Sequence, residues 1–210
     1  MKQQNYIIMK HFTKILIAVG LITLCPQSAG AQGWPENYGG VMLQGFYWDS
    51  FSQSKWTKLE SQADDLAATF SLIWIPQSGK CLESNKVMGY TPYYYFNQNS
   101  SFGTEQELRS MIQTFKAKGL GTVADVVINH HNTMGWWTFP AEEYKGVTYQ
   151  FQTTDIVNND DYDPSTNRYL TREQAQKDGV TLSSNIDEGE GWGGMRDLDH
   201  KSENVQKIVK

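Results

Sequence analysis

Between Val41 and Ile128, three short apolar runs alternate with two stretches of helical periodicity, and that order leaves few folds open. Val41 to Phe46 is the first run. Trp56, Leu59, Ala63, Leu66, Ala67 and Phe70 then fall on one helical face, and Leu72-Ile73-Trp74-Ile75 reads as a short buried strand stopped by Pro76. After a loop over 77–103 rich in Gly and Tyr, Thr104 and Glu107 make a capping-box pattern, and Leu108, Met111, Ile112 and Phe115 repeat at helical spacing. Lys116 and Lys118 suit the negative end of that helix, and Gly119 and Gly121 let the chain turn into a third strand, Val123 to Ile128. Its unbroken apolar character implies cover on both faces, as in a parallel sheet. The order predicts right-handed βαβ units, either closed as a barrel or open as a doubly wound sheet. No Gly-x-Gly-x-x-Gly follows the first strand and no Gly-Lys-Ser/Thr loop is present, so dinucleotide and nucleoside triphosphate readings lose their usual support and the barrel is favoured.

A barrel keeps its site at the carboxyl ends of its strands, where Asp125, Asn129 and His130 sit. A side-chain amide oxygen is a hard ligand, and a neutral imidazole can donate to a hydroxyl. The plainer alternatives are that Asn129 caps a turn and His130 is a satisfied loop histidine; placement at a strand's carboxyl end favours the functional reading. The stretch Asn185-Ile186-Asp187-Glu188-Gly189-Glu190, followed by Asp197, is acidic with Gly between the charges, which on its own describes a solvated loop.

Five motifs in order carry a resemblance: Gly45-Phe46-Tyr47-Trp48, Ile73-Trp74-Ile75-Pro76, Met88-Gly89-Tyr90-Thr91-Pro92, the Asp125 to His130 run, and Asp197-Leu198-Asp199-His200. The sequence from about Gly40 to Lys210 resembles the α-amylases of glycoside hydrolase family 13, of the calcium-binding plant and bacterial type. The resemblance implies a (β/α)8 TIM barrel of which the first three strands are present, with an irregular domain inserted after the third. It also implies retaining endo-hydrolysis of α-1,4-glucosidic bonds in starch, glycogen or maltooligosaccharides. On the matching positions Tyr90 would stack on the sugar and His130 would hydrogen-bond it. Asn129, Asp187 and Asp197 would bind one calcium through side chains, and Glu190 through its main-chain carbonyl. A flat ring suits the apolar face of a sugar, and a calcium site takes about six to eight oxygens. Asp125 is expected to orient its loop rather than touch substrate. Tyr93, Tyr94, Tyr95, Trp136 and Trp137 are expected to pack. Thr91 and the tyrosine run stand where the family often has Asp, His131 where Arg is common, and Gly191 where a further acidic ligand would serve additional calcium ions.

The resemblance places the hydrolytic carboxylates on later strands, beyond Lys210. A full barrel takes about 250 residues, so the chain reads as an amino-terminal portion, expected to be inactive alone. Its expected parts are a signal peptide over 1–31, the start of the barrel over 32–130, the inserted domain over 131–195 and, over 196–210, the return to the barrel with the start of a helix that carries Val205, Ile208 and Val209 on one face. Lys10 and Lys14 before the apolar stretch Ile15 to Leu24, with Ala29-Gly30-Ala31 at the cleavage point, predict export to the periplasm or outside, and the stretch is too short for a transmembrane anchor. Cys25 follows a bulky Leu24, which disfavours lipidation. Cys81 is then the lone mature cysteine, so calcium rather than a disulfide is the expected stabiliser. A net charge of −5 without a Lys/Arg cluster argues against nucleic acid. Two rivals are a non-catalytic exported glycan-binding barrel and a transition-metal hydrolase using His130, His131 and Asp125; the second suffers because adjacent strand residues point to opposite sides.

Overall fold

Three parallel strands carry the fold: β1 (Met42–Gln44), β2 (Leu72–Ile75) and β3 (Gly121–Ala124), hydrogen-bonded in the order β1-β2-β3. Leu43 pairs with Ile73, and Trp74 with Val123. This computed structural model describes residues 38–82, 86–187 and 193–210. The expected signal segment, Cys25 and Glu190 therefore lie outside the described residues. Among the described residues no helix is long and apolar enough to cross a membrane.

The crossovers are helical, as the periodicity requires. The first, expected as one helix, is two: α1 (Trp56–Ser61) and α2 (Ala63–Thr69), interrupted at Gln62, whose φ of −98° and ψ of 7° leave the helical region. The second is α3 (Glu105–Ala117). Its capping box is formed, with Thr104 Oγ1 accepting from Glu107 N at 3.2 Å and Glu107 Oε2 accepting from Thr104 N at 2.7 Å. Gly119 closes it at a φ of 76°, a conformation that costs a residue with a Cβ. Trp56, Ile73, Ile75, Met111, Phe115 and Leu120 are sealed between sheet and helices.

The third strand is shorter than its apolar run. Val123 to Ile128 was expected to be strand, but the ladder ends at Ala124, after which Asp125 N reaches Ile75 O at 3.2 Å. Pro76 ends β2 there, so β2 offers the residues after Asp125 no further backbone partner. In this chain Val126 is 67% exposed and Ile128 39%.

The segment after β3 is more ordered than expected. The strand β4 (His130–His131) opens it, and two hairpins follow, β5 (Glu142–Tyr144) with β6 (Val147–Tyr149), and β7 (Tyr162–Asp163) with β8 (Arg168–Tyr169). Lys145 and Gly146 both have positive φ, the two-residue turn whose twist matches a hairpin. Helix α4 (Leu170–Asp178) leads back to β9 (Arg196–Asp197), which pairs antiparallel with β4, His130 opposite Asp197. A second apolar cluster, with Phe139, Phe151, Ile156 and Leu198, continues onto Val205 and Ile208 of α5 (Glu203–Val209), which Ser202 caps.

Candidate functional site

The carboxyl ends of β1, β2 and β3 deliver the residues that converge. After β1 the chain makes a tight turn in which Ser50 Oγ accepts from Tyr47 N at 3.0 Å and Asp49 takes a left-handed φ of 65°, tolerated by Asp better than by most residues. The turn pushes Trp48 outward, leaving it 66% exposed. Tyr90, on the loop after β2, lies beside it, the two rings nearly parallel at 6° with centroids 6.1 Å apart. They line an open cavity of about 320 Å³ together with Asp49, Lys86, Met88 and Thr91.

Tyr90 is held at both ends. Its hydroxyl donates to Asp125 Oδ2 at 3.0 Å, and its main-chain oxygen lies 2.9 Å from His130 Nε2. A carbonyl only accepts, so Nε2 carries the proton in that contact. Partial burial, then the Asp125 hydrogen bond and charge, push the Tyr90 phenol up to about 12, so it stays a neutral donor. Asp125 thus orients a side chain on the neighbouring loop. His130 is buried at 7% exposure, and its Nε2 lies against the Tyr90 main-chain oxygen.

His131 points elsewhere. Its ring packs on Tyr95, Phe139 and Phe151, with Nδ1 2.7 Å from Asn132 O. Burial lowers its pKa to about 4. Glu142 of β5 ties the tyrosine loop to this segment, its carboxylate accepting from the backbone N–H groups of Tyr95 at 2.5 Å, Phe96 at 2.8 Å and Asn97 at 3.1 Å. Burial raises the Glu142 carboxyl, against the pull of those three donors.

The residues expected to hold a cation fall into two linked groups. Asn129 Nδ2 donates to Asp197 Oδ1 at 3.3 Å, and Asp197 is buried. Asp187 is bound to Asn159, whose Nδ2 lies 3.0 Å from both its main-chain and its carboxylate oxygen. Among the described residues no three His, Cys, Asp or Glu side chains form a metal cluster, so a cation here would also need amide and main-chain oxygens. An all-oxygen set of that kind suits a hard divalent ion.

No family model matches the chain. Over 104 residues it is 34% identical to chloroplastic α-amylase 3 of Arabidopsis thaliana, an alignment covering 46% of this chain and 11% of that protein. Over 141 residues it is 29% identical to an α-amylase of Bacillus licheniformis, covering 62% and 26%. Over part of its length the chain is homologous to α-amylases of plants and bacteria. Among solved structures, a mutant of α-amylase I from Eisenia fetida in complex with maltohexaose superposes with a TM-score of 0.51 at 18% identity, covering 80% of this chain and 33% of that one. That likeness shows the fold, so the three parallel strands of this homologue are arranged as in an α-amylase. The chain spans a third or less of each of these proteins.

Sequence reasoning singled out Tyr90, His130, Asn129 and Asp197, and the structure brings them together in two pairs. It missed Trp48 as a neighbour of Tyr90, although an aromatic pair directly after a first barrel strand was a usable signal. Glu142 and Asn159 left no signal, because their partners are backbone groups and a distant loop.

Proposed function

We propose that the whole protein is an α-amylase-type glycoside hydrolase that cleaves internal α-1,4-glucosidic bonds of starch-type glucans with retention. The observation that carries this reading is the Tyr90 ring, fixed by Asp125 and His130 beside exposed Trp48 at the carboxyl ends of parallel strands. Two near-parallel rings offer apolar surface to successive sugar faces, while hydroxyls stay at the edges for hydrogen bonds. His130 meets the sugar that Tyr90 stacks on. The names of the relatives, and the maltohexaose bound by the Eisenia protein, support a glucan as substrate.

In this reading the sheet belongs to a (β/α)8 barrel and residues 131–195 form a domain inserted over its cleft. The nucleophile and general acid, roughly 5 to 5.5 Å apart in a retaining enzyme, lie on strands following Lys210. Asn129, Asp187 and Asp197, with Glu190 as the resemblance implies, would hold one calcium ion, which would supply fixed positive charge to these oxygens. The protein is exported.

The test is hydrolysis of soluble starch by the intact protein, with the anomer of the first product followed by proton NMR. Release of α-configured oligosaccharides supports the reading; no cleavage, or a β-configured first product, sinks it. Asp125→Ala, which frees the Tyr90 hydroxyl, should lower kcat/KM about ten- to a hundredfold, the size expected for one lost charged hydrogen bond.

A further inference from the structure

Consecutive residues on the loop between the two hairpins of the β4–β9 segment spend their side chains on the two acidic residues assigned to calcium. Asn159 Nδ2 donates to the main-chain oxygen and to Oδ1 of Asp187, each at 3.0 Å, and its Oδ1 accepts from Asp187 N at 3.1 Å. Asp160 Oδ1 accepts from Asp197 N at 3.1 Å, while its Oδ2 accepts from Arg196 Nη1 at 2.6 Å and Thr171 Oγ1 at 2.7 Å. The side chains of Asp160 and Arg196 are 0% and 4% exposed. Asp160 therefore already has its counter-charge inside the protein, and is placed as a holder rather than a ligand.

Asp187 and Asp197 stand ten residues apart in the sequence, yet each is bonded by one of two adjacent residues. Because Asn159 and Asp160 are a single peptide apart on one loop, they fix where their two partners sit relative to each other. We infer that Asn159 and Asp160 are the positioning residues of the calcium site, setting Asp187 and Asp197 in place before the ion arrives. This rests on the calcium reading above.

The experiment compares the intact wild-type protein with Asn159→Ala and Asp160→Asn, measuring the Kd for calcium by calorimetry and Tm in calcium and in EDTA. Asn159→Ala is expected to weaken calcium about ten- to a hundredfold, the usual size for removing a group that orients a ligand, with its Tm in EDTA unchanged. A wild type that binds calcium beside an Asn159→Ala protein of equal Kd overturns the positioning role and leaves the calcium reading standing. A wild type that binds no calcium and melts alike in both buffers overturns both. If Asp160→Asn fails to fold, Asn159→Ala decides alone, because Asn159 is only partly buried and uncharged.

Discussion

The sheet with its helices and the segment from β4 to β9 are held by different forces. Around β2 the buried residues are Trp56, Ile73, Ile75, Met111 and Phe115, and the connecting helices are secured by area removed from water. From β4 to β9 the strands are two or three residues long, and Asp155, Asp160, Arg196, Asp197 and, just past β9, Asp199 are all buried. There, hydrogen bonds and charge replace strand length. Asp199 shows the pattern: burial pushes its carboxyl up, and donors from Ser183, Asn185 and Lys201 outweigh that and leave it below the ordinary range. The difference implies that the first region answers mainly to changes in volume and the second to changes in protonation.

Two substitutions of similar size separate these behaviours. Phe115→Ala should cost about 3–5 kcal/mol, equally at pH 5 and pH 7.5. Arg196→Ala should also cost about 3–5 kcal/mol at pH 7.5, because it strands the Asp160 carboxylate, but less in acid, where that carboxyl can protonate. Denaturant melts across pH would check both, and parallel pH profiles would erase the distinction.

His131 sharpens it further. Its folded pKa of about 4 lies below the ordinary 6.5, so the folded state binds fewer protons than the unfolded one. Stability should be intact above pH 6.5 and fall by up to ~3 kcal/mol as pH drops toward 4. His131→Phe, which suits the ring cluster of Tyr95, Phe139 and Phe151, should flatten that decline. An unchanged slope in Tm against pH would assign the sensitivity to other groups. The smallest effect is expected at the exposed capping box: Thr104→Ala should cost about 1 kcal/mol.

The contrast also explains what could be read in the sequence. Apolar periodicity announced β1, β2, α3 and the capping box, because burial leaves a regular pattern in residue type. It overran at β3, since Val126 and Ile128 look like strand but find no β2 partner beyond Pro76. It fused α1 with α2, because one apolar face continues across Gln62. Tyr90, Asn129, His130 and Asp197 were singled out through motifs, not pattern, and the structure groups them as Tyr90 with His130 and Asn129 with Asp197. The β5–β6 hairpin was not, as Lys145-Gly146 is a weak turn signal and its strands are only three residues each. Polar side chains that bond to backbone groups, such as Glu142, leave no period to find.

Asp125 and His130 grip Tyr90 at its two extremities, hydroxyl and carbonyl, so neither the ring nor its backbone has far to settle when a flat ligand arrives. The entropy of ordering that platform is spent during folding, and an incoming molecule gives up only its own freedom of rotation. On the proposed reading, affinity at such a surface depends on how well the ligand is already shaped to lie flat, which rewards stiff chains over floppy ones of equal composition.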